Sequence, residues 1–509
     1  MYAYTTTSST PQPQAIASMG DKKQCWQCLK QRLVCDSSRP GCKKCLTRKV
    51  QCPGYGTKKP LTWLKPGQTK SKRLRSNGDA QVLLPTFKDC SGTTEVMEAT
   101  RYFNTHICPD LVANGVGGGF QCPFTLHPDE VPHVPAAARH TIVSIALAHR
   151  ILKSECGFEL DQRALSRKLQ NQRGEAIREL VATLGPGVEL SDYTLAAILT
   201  FLLAEIQQSF SPDWRQHCDA ANAFIDNSGG MLALILCRPF QRPLVRYLIL
   251  SEIMSSTTAP MIEEDRVQRQ MDLLPMIHAV FCVGLYTSVP CPPELLTDII
   301  TVNHLVTQGI DHGVTTNFEP PRTAMGVLQK ILSFSSEKWA SEIVTEEQKH
   351  QDPKIPFSQR RALSWDWQAI AQVFQNAVAL YCMSSLLYPH YTGQAPPAAL
   401  GGRDIAFVRL TCLDALLRDL KAIASAQGQL RKFLVWPLAI AGIEVDVNDG
   451  LSKSFISSEL TWISKTLGTA SPLVAQNFLT ALWKSEWIPT GCGRGSWNSI
   501  FDKPYIFIM

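Results

Sequence analysis

The chain has 509 residues, of which 45% are hydrophobic; this is too long for one ordinary domain and enough to bury at least one sizeable core. Its net charge of +6 is unevenly divided: 16 Lys or Arg against one acid, Asp36, lie between Lys22 and Arg75, while the remainder holds 34 basic and 43 acidic residues. A basic head on a mildly acidic body points to a polyanionic partner for the head. No apolar run follows a basic stretch at the N-terminus, so no signal peptide is expected and the 17 cysteines are read as thiols of a reducing compartment.

In chain order, residues 1–20 are rich in Ser, Thr, Pro and Gln without apolar periodicity, and a disordered arm is expected. Residues 21–55 carry six cysteines, spaced Cys25-x2-Cys28-x6-Cys35-x6-Cys42-x2-Cys45-x6-Cys52, two tandem copies of C-x2-C-x6-C. A C-x2-C pair at the start of a helical turn puts two thiolates on one side of the chain, within reach of one tetrahedral Zn²⁺, and the third cysteine returns from the end of that short helix. Three thiolates per half leave each metal one ligand short. If one cysteine of each half bridges both ions, six thiolates complete two tetrahedral shells with a summed charge of −2, which the surrounding basic residues offset.

Two separate four-cysteine sites would need eight cysteines, an iron–sulfur cluster would leave the doubling unexplained, and disulfides conflict with a reducing compartment. With every position filled by protein the two zincs are read as structural. A module of about 28 residues has too small a core to fold unaided, so metal binding supplies its folding energy.

Cys25 to Cys52, with Asp36 directly after the third cysteine and Pro40 two positions before the fourth, resembles the fungal binuclear zinc cluster (Zn2Cys6) transcription factors. The resemblance implies that Cys25 and Cys42 bridge, with Cys28 and Cys35 completing one zinc and Cys45 and Cys52 the other. It also implies a nuclear regulator of RNA polymerase II promoters that binds double-stranded DNA at CGG-like triplets in the major groove. Arg32, four residues after the second cysteine, matches the base-reading position, with Gln31 before it and Lys30 near the phosphates. An arginine fork suits guanine because it meets O6 and N7 together. Lys43 and Lys44 join the candidate DNA contacts. The chain departs from the family at Leu29 and Val34, where basic residues are usual, and a module that binds protein instead of DNA is the competing reading there. Cys52-Pro53-Gly54-Tyr55-Gly56 with Lys59-Pro60-Leu61-Thr62-Trp63-Leu64 resembles a subgroup of regulators from filamentous fungi, which implies control of a metabolic or secondary-metabolite pathway.

Residues 56–80 read as a basic linker, in which Lys58, Lys59, Lys65, Lys70, Lys72, Arg73 and Arg75 are candidate phosphate contacts. No apolar heptad follows the cysteines in 56–110, so no coiled coil is expected, although a homodimer remains compatible with the resemblance.

Residues 81–509 are expected to form an all-α regulatory body, giving a small metal-stabilised module plus a large helical domain. Helical periodicity marks Ala137–Cys156, Arg163–Leu184, Leu195–Gln208, Trp214–Leu236, Trp367–Leu387 and Asp404–Ser425, with Gly and Pro at the breaks. The longest apolar run, Leu195–Ala204, is about half a membrane span, and no transmembrane segment is expected. Trp214-Arg215-x-His217, Ala220-Ala221, Gly229-Gly230, the run from Pro290 to Leu296, Ala379-x-Tyr381 and the run from Trp436 to Gly442 resemble the fungal-specific transcription factor regulatory domain. By their chemistry alone, Trp436 and its neighbours suit a buried helix, Gly229-Gly230 a helix end, and His217 a hydrogen-bonded core or helix-face position.

The body contains no H-E-x-x-H, Walker A or G-x-S-x-G pattern, Gly117-Gly118-Gly119 reads as a loop, and the eleven remaining cysteines lack ligand spacing. A regulator is therefore expected over an enzyme targeted to DNA by its zinc module. The Trp497-x3-Phe501-x3-Tyr505 run is read as packing.

Overall fold

The computed structural model describes residues 24–55, 92–111, 126–153, 159–183, 192–208, 214–237, 242–281, 291–311, 320–350, 357–387, 404–426, 429–485 and 497–508. The expected arm 1–20 and linker 56–80, with Lys58, Lys59, Lys65, Lys70, Lys72, Arg73 and Arg75, lie outside them. The chain divides into two compact units, Met1–Leu84 and Pro85–Met509.

The first unit contains two short helices, α1 (Trp26–Lys30) and α2 (Lys43–Thr47). Its buried cluster is Cys25, Cys28, Cys35, Cys42 and Cys45, flanked by Leu33, Cys52 and Tyr55. Sulfur fills the place an aliphatic core would take, so burial alone stabilises this unit little.

The second unit is helical, and no strand occurs among the described residues. It starts with α3 (Gly92–Tyr102), a π-helical turn (Phe103–Ile107) and α4 (Cys108–Leu111). Then come α5 (Ala136–Lys153), α6 (Glu159–Thr183), α7 (Asp192–Gln208), α8 (Trp214–Asn227), α9 (Gly230–Cys237) and α10 (Arg242–Ser256). The middle holds α11 (Glu264–Phe281), α12 (Pro293–Asp311), α13 (Pro320–Ser333), α14 (Ser336–His350) and α15 (Phe357–Cys382). After a second π turn at Met383–Leu387 the chain ends in α16 (Ile405–Ala426), α17 (Val435–Glu444), α18 (Gly450–Leu467) and α19 (Ser471–Lys484).

Five of the expected stretches fall on α5, α6, α7, α15 and α16. The sixth, Trp214–Leu236, is not one helix. Gly229 (φ 100°) and Gly230 (φ 86°) adopt left-handed backbone that side-chain-bearing residues avoid, and α8 and α9 meet there at 80°. His217 packs edge-on against Phe201, 5.1 Å between ring centres.

The core centres on α15, whose residues Ile370, Ala371, Val373, Ala377, Val378 and Leu380 are almost fully buried by α12, α13, α14, α16 and α17. The window Trp365–Leu387 is long and apolar enough to cross a membrane, unlike the run at Leu195–Ala204, yet 72% of it is buried inside the protein. An apolar surface on all sides is what a helix surrounded by other helices requires.

Several polar groups inside this core are paired with one another. Tyr381 donates to Asn303 Oδ1 at 2.7 Å, Asn303 Nδ2 donates to Gln270 Oε1 at 3.0 Å, and Gln270 Nε2 donates to Ser256 Oγ at 2.9 Å. Arg409 Nε and Ser384 Oγ both donate to the buried Glu444. Thr257 accepts from two tryptophans, Trp436 through Oγ1 at 2.9 Å and Trp497 through its carbonyl at 2.7 Å. Tyr505 N donates to Thr258 O at 2.9 Å, so the aromatic run from Trp497 to Tyr505 packs as the sequence predicts. Two glycines allow close approach. A Cβ on Gly442 would lie 2.5 Å from Leu479 Cδ1, and one on Gly468 (φ 62°) 2.3 Å from His149 Cδ2.

Candidate metal centre

The two cysteine repeats fold alike. Cys25 (φ −68°, ψ 152°) caps α1 and its sulfur accepts from Cys28 N; Cys42 (φ −70°, ψ 144°) caps α2 and its sulfur accepts from Cys45 N. The two helices end at Gln31 and Arg48 with matching dihedrals, followed by left-handed Arg32 (φ 54°) and Lys49 (φ 53°). Leu33 N then donates to Cys28 O and Val50 N to Cys45 O, both at 3.0 Å. Cys25 N donates to Cys35 Sγ at 3.4 Å and Cys42 N to Cys52 Sγ at 3.5 Å. Left-handed Ser37 and Gly54 close the two halves. Every matched pair is 17 residues apart, so the sequence repeat is also a backbone repeat.

This doubling gathers the sulfurs into two overlapping sets, Cys25, Cys28, Cys35, Cys42 and Cys25, Cys42, Cys45, Cys52, within each of which all ligand atoms lie within 4.8 Å. Cys25 Sγ is 3.5 Å from Cys42 Sγ and 3.7 Å from Cys45 Sγ, and Cys28 Sγ is 3.7 Å from Cys42 Sγ. A disulfide would need about 2.05 Å. Four sulfurs around one tetrahedral Zn²⁺ at about 2.3 Å stand roughly 3.8 Å apart, so the observed edges fit a tetrahedral metal. Cys25 and Cys42 belong to both sets. These are the only groups among the described residues that could hold a metal ion. Of the other described cysteines, Cys108, Cys218, Cys291, Cys382 and Cys412 are buried and Cys237 is exposed.

Electrostatics agrees with a cation at this centre. Burial pushes the Cys28 thiol up to about 12 and Cys45 higher still, and the hydrogen bonds and negative charge of the crowded neighbouring sulfurs add to the rise. Burial also opposes ionisation of Cys35, but the N–H groups of Cys25 and Ser37 and the Tyr55 hydroxyl outweigh it and bring the thiol to about 6. Seven Lys or Arg and one acid lie between Gln24 and Tyr55. That acid has a structural task. Asp36 is held at about 2, chiefly by the Ser38 hydroxyl, and accepts from Lys43 N at 3.1 Å and Lys44 N at 3.5 Å, capping α2. Tyr55 donates to Ser38 O at 2.8 Å, tying the end of the module to its middle.

The predicted DNA contacts within the described residues are all exposed: Lys30 in the last turn of α1, Gln31 at its cap, Arg32 after it, and Lys43 and Lys44 in the first turn of α2. Leu29 and Val34 are exposed as well, at 52% and 81%. Sequence reasoning did not single out Arg48, whose Nη1 donates to Gln31 Oε1 at 2.7 Å. The signal was present in its position three residues after Cys45, as Gln31 stands three after Cys28.

Residues 76–508 match the family described as fungal specific transcription factor domain. The chain is also similar to the phomenoic acid biosynthesis cluster-specific transcriptional regulator of Leptosphaeria maculans (strain JN3), 28% identical over 96% of this chain and 89% of that protein. No solved structure matches. With a helical body matched over most of its length and a cysteine module that fits a Zn2Cys6 cluster, the chain belongs to the fungal specific transcription factor domain family and is a transcriptional regulator, not an enzyme.

Proposed function

We propose that the chain is a nuclear, sequence-specific DNA-binding regulator of RNA polymerase II promoters whose residues 21–55 hold two structural Zn²⁺ ions. The observation that carries this reading is the pair of four-sulfur sets sharing Cys25 and Cys42. Two shells completed by six thiolates leave no position for substrate, so the metals hold the module's shape while its surface binds. Cys28 and Cys35 complete one shell, Cys45 and Cys52 the other.

On that surface Arg32 extends from the exposed end of α1, where a planar fork can meet guanine O6 and N7 of a CGG-like triplet. Lys30, Lys43 and Lys44, with Lys58, Lys59, Lys70, Lys72, Arg73 and Arg75 of the linker 56–80, are suited to phosphates, and the linker offsets the apolar Leu29 and Val34. Residues 81–509 serve as the regulatory body. The Leptosphaeria maculans relative is by its name specific to one biosynthesis cluster, and a cluster of secondary-metabolite genes is the corresponding target here.

Selection of bound duplexes from a random pool by the zinc-loaded full chain tests this reading. Enrichment of a CGG-like triplet is expected, and enrichment of no sequence would overturn it in favour of a protein-binding module, which the exposed Leu29 and Val34 would suit.

A further inference from the structure

The two helix ends of the cysteine module meet through side chains. Gln31 caps α1, Arg48 caps α2 at the equivalent position, both are exposed, and Arg48 Nη1 lies 2.7 Å from Gln31 Oε1. A guanidinium carries donors and no acceptor, so the amide of Gln31 must turn its oxygen to Arg48, leaving its NH₂ as the end that meets another molecule. A glutamine with both ends available reads adenine, accepting from N6 and donating to N7. One whose oxygen is already engaged offers donors.

We infer that Arg48 is a positioning residue for base specificity: by holding the Gln31 amide it makes Gln31 and Arg32 consecutive donors, suited to the acceptor edges of neighbouring guanines. The inference rests on the proposed DNA-binding function. It assigns the second cysteine repeat a part in the readout of the first, through one hydrogen bond across the 17-residue repeat. Were Arg48 a phosphate contact only, its removal would weaken all duplexes alike.

The test uses zinc-loaded full chain, the duplex enriched from a random pool, and duplexes in which each guanine of that site is replaced in turn by adenine. Wild-type protein is expected to discriminate against the replacements; if it binds all duplexes equally, the DNA reading itself fails and this inference with it. Given wild-type discrimination, Arg48→Met should lower the guanine-over-adenine ratio at one position by about five-fold or more. Gln31→Ala should lower it at the same position, and the double variant no further, because the two side chains act as one unit. Arg48→Lys, which restores a donor, should recover part of the ratio. Zinc content, measured for each variant, separates misfolding from altered readout, and Arg48→Gln replaces Arg48→Met should that variant lose metal. An unchanged ratio in Arg48→Met with wild-type zinc content, or additive effects in the double variant, would overturn the inference.

Discussion

Under the proposed function, Arg32 and the basic residues of the linker divide the work of binding differently. Arg32→Ala should cost about 1–3 kcal/mol on the preferred duplex and relax discrimination there, with less effect on scrambled DNA. Neutralising Lys70, Lys72, Arg73 and Arg75 together should weaken binding to every sequence and flatten log affinity against log salt by up to about 0.9 for each phosphate that is no longer neutralised. Isotherms on both duplexes at several salt concentrations separate the two signatures; equal weakening of both by Arg32→Ala would make it a phosphate contact. The gathering of the six cysteines was legible from sequence because their doubled spacing is one that metal ligation would fix, and Asp36 was visible beside the third of them. Its capping of α2 was not, since that role depends on a turn which brings residue 36 back to the N–H groups of Lys43 and Lys44. Arg48 was hidden for the same reason: its partner lies 17 residues away.

At the scale of elements, the joint between α5 and the end of α18 sets a pH dependence. His149 in α5 is buried, shares a hydrogen bond through Nδ1 with the Tyr102 hydroxyl at 3.0 Å, and packs against Gly468, the left-handed cap of α18. Burial, reinforced by the charges of Lys153 and His106, lowers its pKa to about 3, so the folded protein keeps it neutral. The unfolded chain takes up that proton at about pH 6.5, so stability should fall as pH drops from about 6.5 towards 3, by at most about 1.4 kcal/mol per pH unit from this group. Denaturant midpoints of wild type and His149→Gln across this range should diverge in slope; parallel curves would contradict it. Where α17 crosses α19, Gly442→Ala should destabilise the body by about 1–3 kcal/mol, because the added methyl meets Leu479 and the backbone is anchored by Trp483 Nε1 on Gly442 O at 2.8 Å. A thermal midpoint equal to wild type would refute that crossing. Periodicity exposed the helices themselves, since each must bury an apolar face. It could not show that Gly442 and Gly468 are contact points, because a glycine in a sequence does not reveal what crosses it.

For the whole molecule, the sequence pattern disclosed both halves of the organisation by separate physical signals, ligand spacing in one and helical periodicity in the other. It joined α8 and α9 because apolar spacing runs on through Gly229-Gly230, and only left-handed backbone there turns the chain. The apolarity of Trp365–Leu387 was likewise hard to rank from sequence, since a central core helix and a membrane span satisfy the same length and composition. The body has a large buried core and the module only a small one of sulfurs, so with the proposed zinc ions holding the module, chelation should abolish DNA binding while the far-ultraviolet dichroism stays predominantly helical. Disappearance of most helical signal on chelation would mean that the body also depends on metal. The central claim, two ions sharing two cysteines, is tested most directly by counting zinc per full-length chain by native mass spectrometry. Two ions are expected in the wild type, none in Cys25→Ser or Cys42→Ser, and at least one in Cys52→Ser. A wild-type count of one or four, or retention of one ion in Cys42→Ser, would contradict it.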